Sequence, residues 1–542
     1  MLSLKLADQF VDLPDDFSFT MNLKSPIFGD VGSYSYPFRI PVTPRNARIL
    51  EFVHRVESTA DVYRSDPGMF LWNGLSLFQG TLKLKALNSK SYEGAMLEGE
   101  GDFFYSRKYA FLQEVDFGEM TFATEAARLT YMNECANTIY PARNIAFPQI
   151  LNKTYFDELP VNTGLHYFNI YINSLLKSEF IGGVTERTIL VPMLYLRFVL
   201  KKILEHQAYT FDDSFFASDS DYNALALFNL VDCNTGPYGF FQYDVNKLLL
   251  NYHLPRISIN DFFLGLETFF NIRFFVNNSN KTVRLMSVDK IVKATDYTEF
   301  SKQIISVSTD LEEKITGFHL TMAMDTDDEL YQPRKDLDAD RLSHLKASVK
   351  TVADLNPWPA DDIMDLRYVE DKSNYYILWT DKLWMPWYPT VDLYLEYLYR
   401  TADQAIETKV SSLLNANVGE PAVIGNARTG WREVTQKLFF VHYDQTDPAQ
   451  KKVIARPATA TNNLFFGGEY GLFNKHYKAY FDFRMSTKMV KIMKLMTMQE
   501  IKDFDFSRKY MIDGMKYLVK NIQVTIKKDR IMPALLECYT CP

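Results

Sequence analysis

Apolar side chains open the chain at alternate positions, Leu2, Leu4 and Leu6 and then Phe17, Phe19, Met21 and Leu23. A period of two puts every second side chain on one face of a strand, so a sheet with one buried face begins at once. A further strand is expected around Phe38, Ile40 and Val42. Thr43 and Pro44 then supply an N-cap hydroxyl and a ring whose fixed φ suits the first helical position, which predicts a short helix over 46–52. Residues 69–78 read as two strands joined at Asn73-Gly74, a dipeptide that tolerates the positive φ of a type I′ turn. Gly80 marks a bulge. Strands over 81–87 and 92–97, turning through Asn88, Ser89 and Lys90, complete a β-module that ends near residue 117.

A helix is expected over 125–134, within a mixed segment, 118–190, whose strands the pattern does not pair. Pro192 starts the clearest helix: Met193, Leu196, Leu200 and Ile203 form one stripe, while Arg197, Lys201, Lys202 and Glu205 face elsewhere. Ser258 caps a second helix, with Ile259, Phe262, Phe263, Leu266 and Phe270 on its apolar face. That helix runs into a hairpin of 273–276 and 282–288. Residues 325–340, DTDDELYQPRKDLDAD, are the most polar stretch and predict a surface loop. The aromatic-dense 375–399 predicts strand. Thr497 and Glu500 fit a capping box. Asp513-Gly514 fits a hairpin turn whose second strand buries Leu518, Ile522, Val524 and Ile526, and 533–539 supplies a last strand. The fold class expected is β-rich α+β, multi-domain, with small β-barrel modules and helix-plus-hairpin modules, divided as 1–117, 118–190, 191–300, 301–430 and 431–542. No short-period repeat is visible, which disfavours solenoids and propellers.

Composition adds an emphasis on aromatics. The 542 residues include 41 Phe and 33 Tyr against 6 Trp, which suits pleated surfaces and large subunit contacts. A net charge of −8 argues against a dedicated nucleic-acid binder, which needs a basic face. Cys135, Cys233, Cys538 and Cys541 are too few for a disulfide framework and imply synthesis in a reducing cytoplasm. The N-terminus has no secretory pattern, and the apolar run 193–204 is broken by Arg197, Lys201 and Lys202, so no membrane span is expected.

The sequence holds no phosphate-binding loop, HExxH or GxSxG motif, and its eight histidines are scattered singly. No catalytic, cofactor-binding or metal residue is assigned, and no cofactor is expected. Cys538 and Cys541 form a CxxC, yet in a strand residues three apart point to opposite faces, and no second pair completes a zinc site. Asp325, Asp327 and Glu329 resemble the start of a calcium loop but lack its glycine. Tyr375, Tyr376, Trp379, Trp384, Trp387 and Tyr388 could stack on sugar rings, fill a core or line a subunit interface; core or interface is the preferred reading.

Three stretches together resemble the baseplate or tail-hub proteins of tailed bacteriophages. These are FSFTMNLKSPIFGDVGSYSYPFRIPVTPRNARIL with the NGLSLFQGTLKLKAL hairpin; PMLYLRFVLKKILEHQAYTF with HLPRISINDFFLGLETFFNIRFFVNNSNKTVRLMSV; and FDFSRKYMIDGMKYLVKNIQVTIKKDRIMPALLECY. The resemblance implies a non-enzymatic virion subunit, made in the bacterial cytoplasm. It implies a homotrimeric ring of tube-like β-barrel modules, joining a six-fold tail tube protein to a three-fold spike or tail fibre protein. DNA would pass through without specific binding, along a bore that the net charge predicts to be acidic or neutral. The alternatives are a carbohydrate-binding adhesin at the tail tip, resting on the aromatic cluster, and a virion-borne cell-wall hydrolase, resting only on the abundance of Asp and Glu.

Overall fold

The computed structural model describes residues 2–29, 32–99, 110–151, 167–176, 190–229, 247–309, 349–351, 366–379, 422–423, 438–444, 451–464 and 470–541, together with Phe103 and Cys233, and apart from a few single residues and pairs within these ranges. It is β-rich, with several sheets and short helices. The chain forms two compact units. The first gathers Met1–Lys108, Asn271–Ile315 and His476–Pro542; the second comprises Tyr109–Phe270 and Thr316–Lys475.

The first unit is organised by one 14-stranded sheet. Its N-terminal strands are β1 (Leu2–Leu6), β2 (Gln9–Phe10), β3 (Ser18–Lys24), β4 (Tyr34–Ser35) and β5 (Phe38–Pro41). After helix α1 (Pro44–Ile49) come β6 (Asp66–Trp72), β7 (Leu75–Leu87) and β8 (Ser91–Glu98). The middle segment adds a separate hairpin, β9 (Ile272–Asn277) and β10 (Thr282–Ser287), then α2 (Val288–Lys293), β11 (Tyr297–Glu299) and β12 (Ile304–Thr309). The C-terminal segment supplies α3 (Lys478–Ser486), β13 (Met489–Lys494), α4 (Met498–Lys502), β14 (Lys509–Ile512), β15 (Met515–Lys527) and β16 (Ala534–Cys541). Among the described residues the order β2-β1-β6-β7-β8-β4-β3-β15-β16-β13-β12 is an open path, with β5 on β8, and with β11 on β14 and β14 on β15. The described strands do not close into the expected barrels. The N- and C-terminal segments meet where β3 runs antiparallel to β15, pairing Phe19 with Ile526 and Leu23 with Ile522.

One face of this sheet is a continuous apolar core. Phe19, Phe70, Phe78, Ile522, Val524 and Ile526 are fully buried in it, and the Phe19 and Phe70 rings stack with centroids 3.8 Å apart. The capping signals act as predicted: Thr43 Oγ1 accepts from the Asn46 amide at 3.1 Å, and Thr497 and Glu500 close their reciprocal box. A tie not visible in the pattern is Asn46. Its buried amide donates to the Asp12 and Pro41 carbonyls and accepts from the Asp12 N–H, each at 2.9 Å, pinning α1 to the strands beside it.

Three local expectations change. Gly80 is not a bulge: it pairs in register with Gly68 and Glu98, and the extra residues are Leu77 and Lys85. Glycine is needed because a Cβ there would lie 1.7 Å from the Leu97 carbonyl oxygen. The helix expected from Pro192 starts at Leu196, because Met193–Leu194 is drawn into a two-stranded sheet with Ile145–Ala146. Of the strand expected over 375–399, Asn374–Trp379 is found and the remainder lies outside the described residues.

In the second unit, helices Glu125–Cys135, Leu196–His206 and Ile259–Phe270 accompany short strands. Ser258 caps the last of these, its Oγ accepting from the Asp261 amide at 3.0 Å. Phe215, Phe216, Tyr222 and Phe270 form an aromatic cluster. The Asp219 carboxylate accepts from Asn462 and from Lys475, each at 3.0 Å, binding residues far apart in sequence. No helix among the described residues is long and apolar enough to cross a membrane.

Candidate interaction surface

The residues singled out from sequence fall in separate segments of the chain. Tyr375, Tyr376 and Trp379 lie on a strand, Asn374–Trp379, whose register sets them opposite Glu370, Val369 and Leu366. Trp384, Trp387 and Tyr388 lie outside the described residues, as does the acidic stretch from Asp325 to Glu329. Cys538 and Cys541 sit on opposite faces of β16 and are both buried. Burial holds the Cys538 thiol well above its usual range and raises Cys541 to about 11, so neither is poised as a thiolate. Among the described residues no group of three His, Cys, Asp or Glu side chains gathers at metal-binding distance.

The arrangement that stands out is a module built twice within the first unit. In its first copy, strand β5 leads through the Thr-capped α1 to β6, then through Asn73-Gly74 to the 13-residue β7 and the eight-residue β8. In its second, β13 leads through the Thr-capped α4 to β14, then through Asp513-Gly514 to the 13-residue β15 and the eight-residue β16. The pairings repeat as well. The strand before the helix pairs with the last strand, the long strand with the last, and the two strands of the tight hairpin with each other, all antiparallel. Both turns hold positive φ at their two central residues, 50° and 80° at Asn73 and Gly74 and 48° and 82° at Asp513 and Gly514.

Both long strands also carry a bulge, at the eleventh residue of β7 and the sixth of β15, so the two bulges do not superpose. Each long strand bulges at a lysine, Lys85 or Lys520, and the next residue, Ala86 or Asn521, pairs with a glutamate, Glu93 or Glu537. The signal in the sequence is the recurrence of a Thr-capped helix before an Asx-Gly hairpin. It is obscured because α1 is followed by a long loop, 50–65, whereas 503–508 suffices after α4.

The sheet's second face is polar where the modules join. Thr20 and Thr525 hydroxyls bond across β3 and β15 at 2.9 Å, the Asn22 amide donates to the Tyr34 hydroxyl at 3.1 Å, and the Asn521 amide donates to Glu537 at 2.9 Å. Ser306 and Ser308 continue this face on β12, opposite Met493 and Lys491. Lys24, Lys491 and Lys527 share it by register. Residues 476–542 hold thirteen Lys and Arg against seven Asp and Glu, so the chain's overall charge does not describe this module.

Two ion pairs brace the second module. The fully buried Lys494 ammonium lies 3.0 Å from Glu500, beneath α4, and 4.4 Å from the centre of the Phe300 ring. Burial pushes the Glu500 carboxyl up, but hydrogen bonds from the Thr497 backbone and from Lys494 outweigh it and leave the carboxyl below its ordinary range. Arg284 on β10 holds both oxygens of Asp505 at 3.1 Å. Asp505 is likewise raised by burial and, on balance, lowered by Ser507 and Arg284.

Both ends of the sheet are edges, but of different kinds. At one end β2 is only two residues long, with a Lys5–Asp8 ion pair close by. At the other, β12 runs six residues, IISVST, with no charge and no proline, and Ile305 and Val307 are about half exposed. Charge, proline, brevity or a bulge is how soluble sheets protect an edge, and of these β12 has only the bulge at Ile305.

No protein-family profile matches the sequence, and no curated protein matches it. Among solved structures, the chain is similar to the 43 kDa tail protein of prophage MuSo2 from Shewanella oneidensis, at 6% identity and a TM-score of 0.30, over 99% of this chain and 95% of that one.

Proposed function

We propose that this chain is a structural, non-enzymatic subunit of a phage-type tail, a hub that assembles as a homotrimeric ring. The observation that carries the reading is the module built twice in one compact unit. Three copies of a chain with two like modules offer six near-equivalent strand–helix–hairpin surfaces to a six-fold tube. The same three copies offer three identical surfaces to a spike or fibre on the opposite side. The resemblance of the FSFTMN, PMLYLR and FDFSRK stretches to tail-hub proteins supports the same reading. DNA would cross such a ring without being read, since the polar face carries hydroxyls, amides and dispersed lysines with no dense basic stripe.

Mass photometry of the purified chain tests it. The expected species has three times the 63.0 kDa mass of one chain, and negative-stain images show three-fold rings that bind tail-tube protein. A chain that stays at 63.0 kDa at micromolar concentration and ignores the tube would overturn the proposal.

A further inference from the structure

Inside the chain, the two modules are already joined in a definite way. The long strand of the second module, β15, uses only Met515, Lys516 and Tyr517 to pair with its hairpin partner β14. Beyond that the same side of β15 is taken by β3, from Asn521 to Lys527. A strand borrowed from the first module therefore completes the long strand of the second.

The first module has the matching opening. Its long strand β7 pairs with β6 only from Leu75 to Leu82. Among the described residues, no strand occupies that side of 83–87, where Lys85 and Ala86 are exposed. The matching strand is β12. It precedes β13 in the second module as β3 precedes β5 in the first, and it lies at the sheet's end with its own outer side exposed.

We infer that these two openings fill one another between copies of the chain: β12 of one copy runs antiparallel along 83–87 of the next, repeating between chains the junction that β3 and β15 make within one. The occupant is a second copy because the contact continues an interface present in the chain and because the two edges are chemically unlike. Two 83–87 edges would bring Lys83 and Lys85 against the same lysines, a repulsive pairing. The uncharged IISVST strand meets those lysines without repulsion and places β-branched side chains beside Leu84 and Leu87. An edge that pairs with an unlike edge forms a head-to-tail contact, which closes into a ring when the rotation per copy allows. This deepens the hub reading and rests on it.

Cross-linking between separately tagged chains tests the pairing. Ser306→Cys and Ser308→Cys chains, which bracket a one-residue slip in register, are each mixed with Lys85→Cys chains and oxidised. All four native cysteines are buried, so the introduced thiols are the reactive ones. The expected product is a covalent pair holding one of each tag, formed at least tenfold more than by either variant alone. A Ser308→Cys chain that cross-links chiefly to itself would mean β12 meets β12, and would overturn the inference.

Ser308→Lys supplies a second readout. Opposite Lys85 it shifts the assembly from trimer toward monomer mass; because residue 308 also faces Lys491 within the chain, Ser308→Glu, which meets lysine on both sides, is the control and keeps the trimer. If wild-type rings form, neither cysteine pairing cross-links and Ser308→Lys rings persist, the edge pairing is wrong and the hub stands. If wild-type chain never leaves monomer mass, both fall.

Discussion

Gly80→Ala is the sharpest test of the sheet's construction. Gly80 sits mid-strand in β7, between β6 and β8, and an alanine Cβ there would lie 1.7 Å from the Leu97 carbonyl oxygen and 2.7 Å from its carbon. Neither atom belongs to a flexible side chain, so β7 and β8 must separate by more than an ångström or their ladder must break. Overpacking a well-filled site costs typically about 1–3 kcal/mol, and the loss of one or two ladder hydrogen bonds adds about 1 kcal/mol each. Alanine also restricts the unfolded chain, which returns about 0.4–1 kcal/mol. The steric cost wins, and the net expectation is destabilisation by about 3 kcal/mol. Gly29→Ala is the control, since its φ of −179° is extended backbone and nothing lies within 4 Å of its added Cβ. Urea unfolding followed by far-UV circular dichroism compares the two through the first transition, because a chain of two units need not unfold in one step. If Gly80→Ala unfolds within about 0.5 kcal/mol of Gly29→Ala, the tight packing of β7 on β8 is refuted.

The Lys494–Glu500 pair predicts an order of effects. Glu500→Gln removes the counter-charge of a waterless ammonium, leaving it the Lys302 carbonyl and the Phe300 ring, and costs about 3 kcal/mol, whereas Lys494→Met leaves a carboxylate that can still reach solvent and costs about 1 kcal/mol; equal losses in urea melts would contradict this. The acid limb follows from the same group. Glu500 and Asp505 are both held below their ordinary values, so their contribution is complete above about pH 5 and is lost as pH falls through the folded values. Glu500→Gln should therefore flatten the decline in unfolding free energy below about pH 4, and an unchanged slope would count against the pair. Burial raises Cys135 to about 12 and Cys541 to about 11, which predicts that a thiol reagent labels no cysteine in native protein at pH 8 and all four in denaturant; rapid native labelling of Cys538 or Cys541 would reopen a redox reading of the CxxC.

What was legible in the sequence was local. Period-two alternation found β1, β3 and the buried face of β15 because each buries one side against a single core. Thr43, Thr497, Asn73-Gly74 and Asp513-Gly514 announced caps and turns because those geometries depend on one or two side chains. The pairing of β3 with β15 was invisible, since backbone hydrogen bonds between residues some five hundred positions apart leave no mark on either pattern. Gly80 misled for a related reason. A glycine inside a strand signals either a bulge or a close approach, and only the neighbouring strand decides between them. The aromatic cluster drew attention by composition alone, which cannot separate a core from a binding platform.

The differences between the two modules matter as much as their likeness. Identical modules would give six equal surfaces to a three-chain ring, and only the second unit, which occurs once per chain, would then present three-fold symmetry. Here the first module carries the loop 50–65, with Val56 and Tyr63 almost wholly exposed, where the second has only 503–508. The shared elements, the Asx-Gly hairpin with its long and closing strands, would supply the six-fold side. The unshared loop, anchored by the bond of 2.6 Å between His54 and the Tyr92 hydroxyl, would recur three times around the ring and mark alternate positions. A duplicated sheet with one altered connection is thus sufficient, in a single polypeptide, to present six like surfaces and three distinct ones.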